Sequence, residues 1–314
     1  MSDEIRAASL ADLPPIGRAV VTLGVFDGVH LGHRALLEAT RDAAAAGAMT
    51  SVALVFDPPP DEVLRPGNRV ARLAPLRLNL RRIEALGVER VIPIRFDEGV
   101  RALTAEAFLD ALSPALVLGG LAITPRSAFG RGRGGTADRM QQLGAKRGFQ
   151  VRLVAPVEVD GEPVSSTRIR AAIADGDVEA ARALGVVPYL EGIVVIGDRR
   201  GRELGFPTAN LRFDYLPAMP SLGIYAGRVT EAGSEVAAGH PALISIGTRP
   251  TFHEGAEVLA EVHLLDFDGD LYGVPLGVEL HARLRDEQRF ADADALVAQM
   301  QRDAEQGRAV LGMS

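Results

Sequence analysis

The sequence contains no cysteine, which excludes disulfides, thiol catalysis and cysteine-ligated metal sites. It also lacks an apolar run long enough to span a bilayer. The N-terminal stretch MSDEIRAASLADLPPIG carries acidic residues and no continuous apolar core, so it does not match a signal peptide. From these absences we expect a cytoplasmic protein without a membrane partner.

The sequence also has no excess of basic residues over acidic ones. The formal net charge is -7, whereas a protein that neutralises nucleic-acid phosphates normally presents a basic face. We therefore expect no nucleic-acid partner. Arginines do cluster locally, at Arg126–Arg133 and Asp198–Arg202, over stretches short enough to suit a single nucleotide. At 314 residues the chain exceeds one comfortable core, which favours two domains.

Histidine is scarce too, yet two of the six stand in the tetrapeptide His30-Leu31-Gly32-His33. This tetrapeptide follows an apolar strand, Val20–Leu23, and a glycine turn, Gly24–Gly28, and it opens an amphipathic helix. Unpaired amides and the helix dipole make such an N-terminus attractive to phosphate. Imidazoles three positions apart share one helical face, so both can donate to that anion. The alternative is a pair of polar residues in an ordinary first turn, and the preceding strand and turn weaken it.

The first half of the chain alternates short apolar strands with alanine-rich helices. The expected strands are Ala19–Leu23, Ser51–Phe56, Arg90–Ile94, Leu116–Leu118 and Val151–Val154. The expected helices are His33–Ala46, Leu76–Leu86, Ala105–Leu112, Ala137–Arg147 and Ser166–Asp175. This alternation predicts a parallel sheet with helices on both faces, which binds its ligand at the carboxyl ends of the strands.

After about residue 184 the pattern changes to short strands separated by glycine and proline. The expected strands are Gly192–Ile196, Ile224–Thr230, Ala242–Ile246, Val258–Leu265 and Gly277–Leu284. Such spacing predicts an all-β barrel or sandwich. The apolar positions within Asp292–Leu311 predict a final helix that caps it.

A second anion site is indicated by Val164–Arg170, which reads VSSTRIR. Its hydroxyls can cap the following helix, and Arg168 and Arg170 can reach phosphate oxygens in a forked geometry. The alternative is an ordinary serine cap followed by solvated arginines.

The strongest signal in the second half is GRELGFPTAN, at Gly201–Asn210. Its glycines allow backbone amides to approach phosphates closely, and Pro207 orients the segment. Thr208 and Asn210 then offer neutral oxygens that suit magnesium, which shares its coordination shell with substrate phosphates. The alternative for this run is a glycine–proline loop that links two strands.

GVFDGVHLGH (Gly24–His33), SSTRIR (Ser165–Arg170) and DPPPDEVL (Asp57–Leu64) resemble the adenylyltransferase module of bacterial bifunctional riboflavin kinase/FAD synthetases. The resemblance implies an α/β nucleotidyltransferase domain with a Rossmann-like parallel sheet over residues 1–184. It implies His30 and His33 as catalytic residues. The ATP-binding residues that it implies are Gly24, Phe26, Asp27, Gly28, His30, Gly32, His33, Ser166, Thr167, Arg168 and Arg170.

The run Gly192–Asn210 resembles the riboflavin kinase signature, and the segments Leu222–Ala226, Ile246–Phe252, Glu261–Phe267 and Arg283–Phe290 follow in family order. The resemblance implies an all-β riboflavin-kinase barrel with a C-terminal helix over residues 185–314. It implies Glu261 as the general base for the ribityl 5'-hydroxyl, and Thr208 and Asn210 as magnesium ligands. The ATP and flavin contacts that it implies are Gly197, Gly201, Arg202, Gly205, Pro207, Thr208, Asn210, Tyr225, Arg285 and Glu287.

Pro59 stands where the family usually has a histidine, and a longer segment also departs from the family pattern. The family usually has a Gly-x-Asp/Asn-Phe-x-Phe-Gly stretch after its fourth strand. Residues 118–130 read LGGLAITPRSAFG here, without the Asp/Asn-Phe pair and with a longer spacing. Arg126 offers a substitute contact for phosphate or flavin.

The resemblance implies an enzyme that phosphorylates riboflavin with ATP and Mg²⁺ to give FMN. The same chain would then transfer AMP from a second ATP to FMN, which releases pyrophosphate and gives FAD. Its partners would be riboflavin, FMN and ATP. Two alternatives remain open: a monofunctional riboflavin kinase with a degenerate, inactive adenylyltransferase-like domain, and a flavin-binding regulator without turnover.

Overall fold

The computed structural model describes residues 6–197, 205–233, 236–250 and 256–313, with the backbone alone at residues 249–250 and 256–257. The chain divides into two compact units. One comprises Met1–Val70 and Pro75–Ser166, and the other comprises Ala71–Ala74 and Thr167–Ser314. In the described part of the chain, no helix has both the length and the apolar character needed to cross a bilayer.

The first unit contains a parallel sheet. Its strands are β1 (Gly17–Gly24), β2 (Thr50–Asp57), β3 (Arg90–Arg95), β4 (Leu116–Ile123), β5 (Ala128–Phe129), β6 (Gly135–Thr136), β7 (Gln150–Leu153), β8 (Glu158–Val159) and β9 (Glu162–Pro163). Its helices are α1 (Leu31–Ala46), α2 (Pro60–Leu64), α3 (Leu76–Ala85), α4 (Glu98–Ala102), α5 (Ala105–Leu112) and α6 (Ala137–Arg147). The sheet has the order β3-β2-β1-β4-β7, while β5–β6 and β8–β9 are short antiparallel pairs.

β1 lies at the centre of this sheet and is buried on both faces, since Ala19–Thr22 expose almost no surface. Apolar clusters pack against both faces, as is typical of a parallel sheet covered by helices. Because parallel strands point the same way, Gly24, Asp57 and Ile123 end β1, β2 and β4 at one carboxyl edge. That edge is where folds of this class bind ligands.

The second unit contains a closed barrel. Its helices are α7 (Ser166–Ala174, with Ser166 grouped in the first unit), α8 (Val178–Ala183) and α9 (Ala293–Val310). Its strands are β10 (Tyr189–Val195), β11 (Ala209–Arg212), β12 (Gly223–Glu231), β13 (Pro241–Pro250), β14 (Ala256–Leu264) and β15 (Pro275–Arg285). They pair in the antiparallel order β10-β11-β14-β13-β12-β15. Alternate side chains such as Val194, Ile244 and Val262 fill the interior.

The C-terminal helix α9 packs on the outside of this barrel. Ala304 of α9 joins Leu243 and Leu265 in an apolar cluster. Asp303 of α9 forms a buried ion pair with Arg285 of β15, with Nη2 and Oδ2 2.7 Å apart. The helix is therefore attached to the barrel by apolar packing and by one buried charge pair.

The expected fold class is confirmed, since a parallel α/β sheet is followed by a barrel and a C-terminal helix. Besides several short elements that were not expected, two strands of the main sheets differ clearly from the expectation. β11 is absent from the expected strands, because its four residues follow Pro207 inside a run that reads as a loop. β4 continues to Ile123 instead of ending at Leu118, because its glycines still fit the sheet between β1 and β7.

Candidate active sites

The turn between β1 and α1 has an unusual backbone conformation. Phe26 has φ 52°, Gly28 has φ 77° and Val29 has φ 47°, so all of them occupy the left-handed region. Glycine adopts this region freely, whereas a β-branched valine there is an outlier that its surroundings must support. Within the same turn the Phe26 ring lies against Gly24, where a Cβ would approach the ring to 3.3 Å.

His30 is the N-cap of α1. Its Nδ1 accepts a hydrogen bond from the His33 amide at 3.3 Å, so in the neutral ring the proton resides on Nε2. The His30 and His33 rings stack with their centroids 3.6 Å apart and an interplanar angle of 18°. Gly32 leaves room for this arrangement, because a Cβ there would lie 3.3 Å from the His30 ring. The structure therefore brings the two expected imidazoles together at the helix N-terminus.

Burial determines the charge of His33. Its Nδ1 is buried and has no hydrogen-bond partner among the described residues, and its ring packs edge-to-face with Phe26 at 5.3 Å. Burial, and secondly the neighbouring His30, hold the pKa of His33 well below its ordinary value of 6.5. At neutral pH His33 is thus an uncharged imidazole that can donate one hydrogen bond.

The lowered pKa of His33 predicts a pH-dependent contribution to stability. In the unfolded chain the imidazole takes up a proton as the pH falls through 6.5, whereas in the folded protein the ring stays neutral to lower pH. The unfolded state then binds more protons, so the free energy of unfolding should fall from about pH 7 to about pH 5. His33→Leu should flatten this slope in denaturant titrations. A slope that survives the substitution would contradict a neutral His33 imidazole.

Several of the predicted ATP-binding residues have protein partners. The Gly28 amide donates to Asn79 Oδ1 at 3.0 Å, so this amide already has a protein partner, and the expected Gly28 contact with ATP stays a prediction. Asp27 is buried, and its carbonyl accepts a hydrogen bond from the Ser166 hydroxyl at 3.4 Å. Ser166 therefore lies against the turn that carries the histidine motif.

The remaining residues of the second motif belong to the second unit. Thr167 is exposed and Arg168 is half-buried. Arg170 donates from Nε to the Ala71 carbonyl at 2.6 Å. This bond joins the segment Ala71–Ala74 to α7, so Arg170 has a backbone partner that the sequence did not predict.

A cavity of about 810 Å³ lies at the carboxyl edge of the parallel sheet. Its apolar wall comes from strand ends and from the helices that follow, with Leu23, Phe56, Phe96, Phe108 and Ile123 among the lining residues. Arg101, Arg131 and Arg133 add positive charge to the wall, and Asp61 and Glu98 add negative charge. A cavity of this size and polarity suits a planar ring system that carries an anionic group.

The altered segment 118–130 forms part of this wall. β4 runs on to Ile123, and Phe129 then packs edge-to-face on Phe108 with ring centroids 5.6 Å apart. The wall is therefore built without the family's Asp/Asn-Phe pair. Arg126, the expected substitute, does not line the cavity, whereas Arg131 and Arg133 from the same basic loop do.

In the second unit, neighbouring strands place the predicted kinase residues side by side. Asn210 of β11 and Ser245 of β13 both lie opposite Glu261 of β14, and cross-strand partners point to the same face of a sheet. Thr208 Oγ1 donates a hydrogen bond to Glu261 Oε2 at 3.1 Å. Thr208, Asn210 and Glu261 are thus brought together on one part of the barrel.

A cavity of about 400 Å³ adjoins these residues. Gly197 stands at its edge, where a Cβ would collide with the Asn210 side-chain amide. Gly197, Pro207, Thr208 and Asn210 line the cavity together with the loop Phe267–Tyr272. The sequence included part of that loop in the kinase signature but assigned no contact to it.

Tyr225 and Arg285, which were expected to contact ligands, both have protein partners. Tyr225 has no exposed surface, and its hydroxyl donates to the Ser221 carbonyl at 2.7 Å, so it is a core residue of the barrel. Arg285 donates from Nε and Nη2 to the Asp303 carboxylate, and from Nη1 to the Asp286 carbonyl at 2.8 Å. The donors of the Arg285 guanidinium group thus have protein partners, and the expected ligand contacts of Tyr225 and Arg285 stay predictions.

Of the other residues predicted for the kinase site, the structure describes Glu287 and Gly205. Glu287 reaches β13, since a Cβ at Gly247 would lie 3.0 Å from its Oε1. Gly205 has φ 83°, a conformation that favours glycine, at the entry to the Pro207 segment. Gly201 and Arg202 lie outside the described residues.

The chain is similar to known proteins over nearly its whole length. Residues 15–168 match the FAD synthetase family model, and residues 184–311 match the riboflavin kinase family model. The bifunctional riboflavin kinase/FMN adenylyltransferase of Escherichia coli (strain K12) is 38% identical, over 98% of this chain and 96% of its own. The protein of that name from Bacillus subtilis (strain 168) is 33% identical, over 92% of this chain and 91% of its own. A crystal structure from Streptococcus pneumoniae, described as a macrolide-efflux protein, is 32% identical with a TM-score of 0.85 and covers 96% of this chain and 97% of its own.

Proposed function

This chain belongs to the family of bifunctional riboflavin kinase/FMN adenylyltransferases, and from that premise we propose how its two units carry out the two reactions. The enzyme phosphorylates riboflavin with ATP to give FMN and adenylylates FMN with ATP to give FAD and pyrophosphate. Both family models match the chain and its relatives have both activities, which favours this function over a kinase with an inactive N-terminal half. The proposed assignment of residues depends on one observation: His30 with His33, and Thr208 with Glu261, form separate constellations in different units.

In the kinase unit we assign Glu261 as the general base. The Thr208 hydroxyl donates a hydrogen bond to Oε2 of this carboxylate, which orients the Glu261 side chain. Oε1 can then accept the proton of the ribityl 5'-hydroxyl. The ribityl oxygen bonds to the γ-phosphorus of ATP as the bond to the β–γ bridging oxygen breaks, and ADP leaves. Because little covalent help is needed, catalysis in this step comes mainly from positioning and charge stabilisation.

Magnesium fits the same site. Thr208 and Asn210 offer neutral oxygens beside a carboxylate, and Mg²⁺ binds few protein groups while waters and phosphates complete its shell. When bound, the ion would neutralise charge on the ATP phosphates. Gly197, Gly201, Arg202, Gly205, Pro207 and Glu287 remain the proposed neighbours of ATP and flavin in this unit.

In the first unit we assign the N-terminus of α1 to the phosphates of the second ATP. His30 can donate from Nε2, the neutral His33 can donate once, and the helix dipole adds favourable potential. An oxygen of the FMN phosphate attacks the α-phosphorus in line, and the bond to pyrophosphate breaks. Further proposed ATP contacts in this unit are Gly24, Phe26, Asp27, Gly32 and Ser166, while the contacts expected of Thr167, Arg168 and Arg170, which belong to the second unit, stay predictions.

We place the flavin ring of FMN in the 810 Å³ cavity, where aromatic side chains such as Phe56 and Phe96 can pack on it. The FMN phosphate then requires cations, and Arg131 and Arg133 provide them on the wall. This assignment gives the basic loop the function that the sequence left to Arg126.

Arg131→Gln combined with Arg133→Gln is expected to raise the KM for FMN by about tenfold or more, because each charge-assisted hydrogen bond to phosphate contributes about 1.5–3 kcal/mol. Initial rates of FAD formation against FMN concentration measure this. The KM for riboflavin in the kinase reaction should not change. Arg147→Gln, which breaks an ion pair with Asp110 outside the cavity, is the matched control. An unchanged KM for FMN would remove both arginines from the flavin site.

The function itself is tested by supplying the two substrates separately. Riboflavin with ATP and Mg²⁺ should yield ADP and FMN, and then FAD and pyrophosphate as that FMN is adenylylated, whereas FMN with ATP and Mg²⁺ should yield FAD and pyrophosphate alone. FMN formation without any FAD formation would restore the kinase-only alternative. The division of the chain at residues 184 and 185, the cytoplasmic location and the lack of nucleic-acid or membrane partners stay predictions.

A further inference from the structure

Asn79 connects α3 to the turn that precedes the histidine motif. Its side chain lies in the first turns of α3 and is 2% exposed. Its Oδ1 accepts a hydrogen bond from the Gly28 amide at 3.0 Å, across 51 residues of sequence. A buried backbone amide without such a partner would be costly, so this bond satisfies Gly28 in its observed position.

The backbone around Gly28 needs support of this kind. Phe26 and Val29 have φ of 52° and 47°, although neither is glycine. Such conformations persist only where the surroundings determine them. Within the turn, the Val29 amide donates to the Phe26 carbonyl at 3.2 Å, and Arg34 Nε donates to the Val29 carbonyl at 3.0 Å. Asn79 adds the contact from a different helix, which fixes the turn relative to α3.

The position of the turn sets the position of the histidines. His30 follows Val29 directly and caps α1 through its bond with the His33 amide. Its ring also stacks on the His33 ring at 3.6 Å. A shift of the turn therefore moves both imidazoles and the first amides of α1 together.

We propose that Asn79 is a positioning residue for adenylyl transfer, acting through the Gly28 amide on the turn that places His30 and His33. It does not itself bind ATP, and the inference rests on the proposed adenylyltransferase function. A misplacement of about 1 Å at a reacting centre can lower a rate by about 10²-fold. The loss should therefore appear in kcat rather than in substrate affinity.

Asn79→Leu removes the acceptor at similar size, and it is expected to lower kcat for FMN adenylylation by about 10- to 100-fold while the KM for FMN stays within about threefold. Asn79→Asp keeps an oxygen acceptor at the same reach, so its kcat should recover to within about fivefold of wild type. Its added negative charge should raise the KM for ATP. Riboflavin phosphorylation by the same chains is the internal reference and should not change. Asn68→Leu, at an exposed asparagine of the same unit, is the matched control.

Circular dichroism and thermal unfolding show whether each variant is folded. Should Asn79→Leu fail to fold, Asn79→Ser takes its place, since serine is too short to reach Gly28. A wild-type kcat in the leucine or serine variant would overturn the proposal. An aspartate variant as slow as the leucine variant would also overturn it. If wild-type chain forms no FAD from FMN, the proposed function fails; if wild type forms FAD and the leucine variant equals it, only this inference fails.

Discussion

Glu261→Gln should lower kcat for riboflavin phosphorylation by about 10²- to 10⁴-fold, which is the usual contribution of a positioned general base. The amide keeps the size of the side chain and can still accept a hydrogen bond from Thr208, but it cannot take up the ribityl proton. Because the substitution lies in the second unit, FMN adenylylation should continue at the wild-type rate. Separate assays of FMN from riboflavin and of FAD from FMN measure both effects.

Glu191→Gln is the matched control for this variant. Glu191 is another strand glutamate of the barrel that accepts a hydroxyl hydrogen bond, from Tyr189 at 2.7 Å, and it does not line the kinase cavity. It should leave phosphorylation near the wild-type rate. Equal losses in the two variants would mean that Glu261 contributes to the barrel and not to proton transfer.

His33→Ala should lower kcat for FMN adenylylation by about 10²- to 10³-fold, the cost of removing one preorganised donor to the transition state. The substitution removes the neutral ring, while the His33 amide that caps His30 remains. Riboflavin phosphorylation should not change. With riboflavin and ATP, this variant should accumulate FMN and form little FAD.

The control for His33 is His281→Ala, at a partly exposed histidine of the barrel next to Glu279. It should form FAD at the wild-type rate. A His33 variant that also forms FAD normally would show that the stacked imidazoles do not stabilise the phosphates.

The sequence predicted best where the structural signal is local. The histidine motif could be interpreted because the cap, the helix and the preceding strand are adjacent in the chain, and the structure brings His30 and His33 into ring stacking. The parallel sheet and the barrel follow from hydrophobic periodicity in the same way. β11 was not predicted from the sequence, because a strand of four residues is too short to show the alternation of apolar and polar side chains that marks a strand.

Long-range partners account for the rest. Whether Tyr225 faces the core or a ligand depends on how the barrel closes, and Arg285 is drawn to Asp303 of a helix that follows later in the chain. The bond from Asn79 to Gly28 joins residues that no short motif connects. The cavity proposed for the flavin is likewise formed from the ends of several strands. The sequence could place its arginines in a basic loop, but it could not show that they line this cavity.

The central claim is that two separate sites on this chain act in succession, and mixing two inactive chains tests it most directly. Given riboflavin, ATP and Mg²⁺, Glu261→Gln alone should form neither FMN nor FAD at an appreciable rate, and His33→Ala alone should stop at FMN. An equimolar mixture should form FAD, because one chain supplies the FMN that the other adenylylates. If the mixture forms no FAD while each chain is folded, or if either substitution abolishes both reactions, the account of two independent sites is contradicted.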